Sequence, residues 1–598
     1  MNEMRAPAAL SIRWRRLAEW LNSLQPSENA VLMGSALVIG IGAALGVVGF
    51  YKSIDFAYRL FYRLPARYLP EASVLAYRPV ITAAGIALAW WVMRYVGRGH
   101  DGLNVPDVQL SVVRRGARIP PRPALARTVA SAITIGCGGS AGSEGPVVVF
   151  GAAIGSIFGQ AFHFSPERLR VLVGAGAGAA ISAAFNAPMA GAFFALEEIL
   201  GSLGVSAFPP VVVASVIAAV VSRAVFGNHP AFPIPVEYGY GLAREVFVFF
   251  PLLGVVTGIT AALFVRIYFA VERLTRQLPI RRPVLPWIGG LVVGSLVVVS
   301  NGLLVGYGHL AVHLEVFGRM PWWALTWLAF GSIVATSVTL NTGGSGGLFT
   351  PSLYVGAATG GAFGVALAAM MPGAPIRPEA YAIVGMGALV AAATHAPITG
   401  ILLVFEMTND YAIVLPLMLT TVIAYLVAHR LEHDSLYSGW LRRRGEHIEA
   451  GEDQRALARL RVADAFDPGA TSIGESESVA EFIEHLGHAD QTIFPVVDPD
   501  GLLIGVITVA DLGRVAKDYG NLSSLLVAAD LAQPSESIAP EESLLDATRR
   551  MGVRGVMALP VSETNGRVLG VLSRHHVLAA YERETAGSTG AVNAAAHA

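Results

Sequence analysis

Residues 142–156 read GSEGPVVVFGAAIGS, and residues 346–361 read GGLFTPSLYVGAATGG. Aligned on glycine and proline, Gly142, Pro146, Gly151 and Gly155 fall on Gly347, Pro351, Gly356 and Gly360, each 205 residues further on. A second pair follows in the same order. NAPMAGAFFALEE (186–198) and HAPITGILLVFEM (395–407) place Pro188, Gly191 and Glu197 against Pro397, Gly400 and Glu406, 209 residues apart. Duplicated apolar segments interrupted by glycine and proline are the pattern of a membrane transporter whose site lies where its repeats meet, near the bilayer midplane.

The rest of the chain agrees with a membrane setting. It has 598 residues, 54% hydrophobic and only 14% charged, with a mean hydropathy of +0.56, too apolar for an ordinary soluble protein. VLMGSALVIGIGAALGVVGF, VFVFFPLLGVVTGITAALFV and WIGGLVVGSLVVVSNGLLVG each read as long enough to cross about 30 Å of hydrocarbon. The net charge of −1 says nothing about partners; no nucleic acid is expected. Cys137, the only cysteine, excludes an internal disulfide and reads as a packing residue. The N-terminal MNEMRAPAALSIRWRRLAEW has no cleavable signal. Arg5, Arg13, Arg15 and Arg16 before the first span, and Arg442, Arg443 and Arg444 after the last, put both ends in the cytoplasm and make the number of crossings even.

GSEGP and GLFTP each read as a helix start, because proline lacks the N–H that a first turn leaves unsatisfied. Their free N–H groups and positive dipole ends make anion sites. GLNVP (102–106), after Arg98, His100 and Asp101, has the same form. Three such starts would surround a dehydrated anion without setting a full positive charge beside it, so that it is held weakly enough to pass. Glu144 stands in this apolar frame at an insertion cost of about 2.5–3.5 kcal/mol, which marks it as functional. Glu197 and Glu406, at equivalent repeat positions, read instead as helix caps or braces. His100 and His395 read as structural.

Near residue 440 the composition changes. A charged linker leads to two copies of a strand–turn–strand–helix pattern, TIFPVVDPDGLLIGVITVADL and VMALPVSETNGRVLGVLSRHHVL, and then to an Ala/Gly/Ser-rich tail. The expected organisation is a cytoplasmic segment 1–28, an all-α polytopic membrane domain 29–440 with inverted repeats (about 29–225 and 245–440), a linker 441–457, an α/β tandem 458–585, and a disordered tail 586–598.

GSEGP with GLFTP, FNAPMAGAFFALEE, HAPITGILLVFEMTNDY and LYSGWL resemble the CLC family of chloride channels and chloride/proton antiporters, over roughly residues 30 to 440. The soluble tandem resembles a CBS domain pair. The resemblance implies an anion/proton antiporter of the cell (inner) membrane, a homodimer with one pathway per subunit, carrying chloride and protons. It implies no enzyme, required cofactor or metal. By position it makes Glu144, in GSEGP, the gating and proton-passing glutamate, and Glu198 the inner proton-transfer acid. It assigns the anion to Gly145, the amides of Leu348 and Phe349, and Tyr437. Two positions depart from the family pattern. Leu103 replaces the usual serine of the first motif, so that Asn104 or a backbone N–H must substitute there or the central site is weaker. Ser143 replaces a frequent arginine. In the soluble pair, Gly505, Thr508 and Asp511 match an adenosine-nucleotide pattern, whereas the second copy has Ser573 with His576 where an aspartate would stand.

Other readings stay open on these residues. Glu198 is also compatible with a bracing acid, Tyr437 with an interfacial aromatic, and the CBS pair with a ligand-free bracing module. For the whole protein the competing readings are a passive chloride channel of the voltage-gated type, an antiporter for fluoride or nitrate, and, more remotely, a non-transporting membrane sensor.

Overall fold

Apolar runs bounded by proline and glycine fold here as helices whose starts and stops are written in those residues. The computed structural model describes residues 28–66, 71–97, 103–201, 207–227, 245–304, 320–373, 376–446, 457–479, 491–509, 526–563 and 565–581, together with positions 68, 204, 482, 511, 512 and 583. The segment 1–27, the tail 586–598, Arg98, His100, Asp101 and most of the linker lie outside the described residues. The first half contains α1 (Glu28–Tyr58), α2 (Glu71–Trp91), α3 (Val105–Arg114), α4 (Pro121–Gly136), α5 (Glu144–Ala161), α6 (Pro166–Phe185), α7 (Pro188–Phe194) and α8 (Phe208–Phe226). The second contains α9 (Phe250–Gln277), α10 (Leu285–Val299), α11 (Trp322–Asn341), α12 (Phe349–Met370), α13 (Pro378–Thr394), α14 (Pro397–Thr408) and α15 (Val414–Leu431), followed by the short α16 (Ser438–Arg442).

Among the described residues, nine helices are long and apolar enough to cross a membrane. One expected span is shorter than its sequence suggests. The run beginning at Trp287 gives only α10, 15 residues and about 22 Å long. It stops at a turn in which Asn301 and Gly302 take positive φ, a conformation an asparagine–glycine pair reaches at little cost.

The duplicated glycines are contact points. A Cβ on Gly151 of α5 would strike the carbonyl of Gly176 on α6, and one on Gly356 of α12 would strike that of Gly385 on α13. The same helix pair therefore closes to backbone contact in both halves, the packing that small residues permit between membrane helices. α6 and α13 both end on a left-handed residue, Asn186 at φ 57° and His395 at φ 66°. Asparagine and histidine are tolerated there, which gives His395 its structural role. Cys137 is buried, its carbonyl taking the Tyr62 hydroxyl at 2.8 Å and Thr82 Oγ1 at 2.9 Å, in keeping with a packing role.

The chain divides into two compact units, Met1–Ile448 and Glu449–Ala598. In the second, β1 (Ile473–Gly474) pairs parallel with β2 (Ile493–Val497), which pairs antiparallel with β3 (Leu503–Thr508). β4 (Ala558–Ser562) and β5 (Val568–Ser573) form the matching hairpin. Both hairpins carry a register shift at the corresponding place, Val496/Val497 and Val561/Ser562, as expected of a duplication.

Candidate functional site

The two repeats are sewn together by equivalent hydrogen bonds. Gly142 N donates to Gly347 O at 2.8 Å, and Gly347 N returns the bond to Gly142 O at 2.7 Å. Behind this antiparallel bridge, Ser140 N donates to Thr339 Oγ1 at 3.2 Å while Ser345 N donates to Thr134 Oγ1 at 3.0 Å. The bridge holds the starts of α5 and α12 side by side.

Glu197 and Glu406 perform the capping expected of them, each for the other repeat. Glu197 accepts from the N–H groups of Ile398 (3.2 Å) and Thr399 (2.9 Å) at the start of α14, and from Thr399 Oγ1 at 2.8 Å. Glu406, near the end of α14, accepts from Met189 (3.0 Å) and Ala190 (2.7 Å) at the start of α7. An acid late in each helix capping the first turn of the other requires α7 and α14 to run antiparallel, and so requires the repeats to be inverted. The carboxylates meet positive dipole ends and orphan N–H groups.

Glu144, 2% exposed, is the first residue of α5, yet its carboxylate reaches across to α12. Oε2 accepts from Thr350 N at 3.1 Å. Oε1 accepts from the Thr350 hydroxyl, and from Ser143 Oγ at 2.8 Å. The side chain thus lies on a first-turn amide of the GLFTP helix, that of Thr350, where an anion would be stabilised. Beside it is a cavity of about 90 Å³ whose lining includes Gly145, Leu348, Asn104, Tyr437, Trp440 and Arg127.

The structure therefore gathers Gly145, Leu348, Asn104 and Tyr437 around one space next to Glu144. Leu103 and Phe349 do not line it. Leu103 belongs to the apolar core. The Phe349 ring packs at 6.0 Å from Phe185 and at 6.1 Å, edge to face, from Phe194. Nor is the Asn104 backbone N–H free, since it donates to Asp107 Oδ2 at 2.7 Å. This third helix start is capped by its own acid, which removes a backbone substitute for the missing serine hydroxyl at that amide.

Two residues without a signal in the sequence complete the picture. Arg127 of α4, 6% exposed, lines the cavity, contrary to the expectation that no full charge would stand there. Its place in PRPALARTV is locally unremarkable, because the loop it meets lies more than 200 residues away. Gln109 of α3 holds Glu198, its Nε2 donating to Glu198 Oε2 at 3.1 Å and to the Glu198 carbonyl at 2.7 Å. Glu198 lies away from the cavity lining, in a π-helical turn, Ala195–Ile199, that extends α7. Turns of this kind frequently mark functional sites.

In the soluble unit, Asp511 Oδ2 accepts from Thr508 N (3.0 Å) and Thr508 Oγ1 (2.6 Å), and Asp511 Oδ1 accepts from Gln533 Nε2 at 3.2 Å. The second copy repeats the loop with an imidazole, Ser573 N donating to His576 Nδ1 at 3.4 Å.

Comparison with known proteins completes the description. The family model described as voltage gated chloride channel matches residues 85–429, and the CBS domain model matches 462–518 and 528–583. The chain is 33% identical over 388 residues to a putative chloride channel protein ClcB-like of Ralstonia nicotianae, covering 61% of this chain and 88% of that one. It is 34% identical over 326 residues to the H(+)/Cl(−) exchange transporter ClcA of Vibrio parahaemolyticus, covering 52% and 67% respectively. Among solved structures it is similar to a slow cyanobacterial Cl−/H+ antiporter, with a TM-score of 0.62 and 26% identity over 69% of this chain and 97% of that one.

Proposed function

Because the chain belongs to the voltage-gated chloride channel family, we propose that it exchanges chloride for protons across the cell (inner) membrane, with Glu144 as the gate and Glu198 as the inner proton carrier. The observation that carries this reading is the Glu144 carboxylate lying on the Thr350 amide, beside the cavity lined by Tyr437 and Leu348. As an anion, the carboxylate competes with chloride for the same N–H groups. Protonated, it loses its charge-assisted bonds and leaves the position to the transported ion. Each turnover then links one neutralisation of Glu144 to anion passage. Glu198, outside the cavity, takes protons by a separate route. Leu348 and Gly145 offer backbone, and Tyr437 its ring edge and hydroxyl, to the passing anion.

The reading includes both ends in the cytoplasm and a homodimer. Exposed apolar side chains on α15 (Leu415, Met418, Val422, Leu426) and α8 (Val216, Val220) form a face that lipid or a second copy would cover. The CBS pair, in this reading, binds an adenosine nucleotide at Thr508 and Asp511; the buried aspartate beside a helix start supports it.

The test is flux in liposomes. A proton gradient should drive chloride uphill in the purified protein, whereas chloride flux that ignores the gradient identifies a passive channel. For the soluble unit, ATP or AMP binding to the full chain should be lost in Asp511→Ala; unchanged binding removes Asp511 from the site.

A further inference from the structure

Among the described residues, Arg127 is set into the cavity wall by one hydrogen bond. Its Nη2 donates to Gly346 O at 2.8 Å, in the loop that leads into GLFTP. Among the described residues its buried Nε–H has no hydrogen-bond partner. Of the described residues lining the cavity it alone is charged. Burying an ion is costly unless another charge or a set of hydrogen bonds compensates it. The acid that acts on it, Asp107, is partly committed elsewhere, to Asn104 N at 2.7 Å and to Arg444 Nη1 at 3.7 Å. Asp107 still acts electrostatically on Arg127. The cavity thus has backbone donors at a helix start and, independently, a buried guanidinium in its wall with an unpartnered Nε–H. The side chain at position 103 offers nothing there.

We propose that Arg127 is the charged anion ligand of this cavity, its guanidinium holding a monovalent inorganic anion in place of a hydroxyl at position 103. Asp107 opposes it by drawing part of the guanidinium's field away from the anion. A guanidinium is weakly hydrated and presents donors in a fixed fork, so it binds a dehydrated ion without reorganising. This rests on the anion-transport reading above, but it is a statement about equilibrium binding and is tested apart from flux.

The experiment is calorimetric titration of the detergent-purified full chain with chloride, alongside liposome flux. Arg127→Gln should weaken chloride binding at least about tenfold, the loss of one buried charge-assisted bond. Arg127→Lys should restore most of it, and Asp107→Asn, which keeps a side-chain oxygen for Asn104 N, should tighten it about threefold. A purely structural role in pinning Gly346 predicts the same tightening in Asp107→Asn whether or not Arg127→Gln is also present, whereas a ligand role predicts that Arg127→Gln reduces it. Chloride affinity unchanged in either Arg127→Gln or Asp107→Asn, or the same tightening with and without Arg127→Gln, overturns the proposal, and if Arg127→Gln does not fold, unchanged affinity in Asp107→Asn still overturns it. Wild-type protein that binds chloride through Arg127 but moves no chloride would overturn the transport reading and leave this one standing.

Discussion

The two membrane repeats share a frame and differ in charge. Both have the bridge glycine, the close helix pair, the left-handed cap before the second motif, and an acid that caps the other repeat's helix. Yet Glu144 stands where the second repeat has Phe349, and Glu198 where it has Met407. Phe349 and Met407 are buried in the apolar core, whereas Glu144 and Glu198 are held by donors, Thr350 and Ser143 for one and Gln109 for the other. An inverted duplication supplies a symmetric scaffold and facing helix starts. Two carboxylates break that symmetry, and in the proposed cycle they supply direction and coupling.

Removing those carboxylates should produce the largest effects. Glu144→Gln should lower proton movement by at least about 100-fold while some anion flux persists, because an amide carries no proton at the gate; intact coupling in liposomes would take Glu144 out of the mechanism. Glu198→Met, which installs the other repeat's residue, should reduce proton flux about tenfold or more and spare anion flux. A fully coupled variant would show that protons enter elsewhere. Gln109→Leu should have a milder effect, about threefold on proton flux with a shifted pH profile, since one hydrogen bond to the acid is lost. An unchanged pH profile would make Gln109 a packing residue.

The symmetric pair should give the smallest effect. Glu197→Gln and Glu406→Gln should each cost about 1–2 kcal/mol of stability, to a similar degree and with coupling retained. Thermal unfolding that separated the two, or a coupling defect in one alone, would mean that the capping acids also take sides.

Much of this is legible in the amino-acid sequence. The repeat, the helix starts at GSEGP and GLFTP, the odd carboxylate at 144 and the capping acids can be read locally, because proline, glycine and a charge in an apolar run each have strong one-residue consequences. The length of α10 is overstated by its sequence because apolarity continues past a turn made by Asn301 and Gly302. Motif position assigns Leu103 and the Phe349 amide to the anion; Leu103 does not line the cavity, and the Phe349 ring packs against Phe185 and Phe194.

What the sequence determined by itself is therefore a duplicated membrane protein with an acid at one helix start and a CBS-like pair at its end. Tertiary structure alone decided which N–H groups the acid reaches, which helix each capping glutamate serves, that Arg127 lines the cavity and that Gln109 holds Glu198. The reason is physical. Helix starts and turns arise from neighbours along the chain, whereas Thr350 beside Glu144, Thr399 beside Glu197 and Gly346 beside Arg127 lie more than 200 residues away from them and come within reach only when the inverted repeats pack.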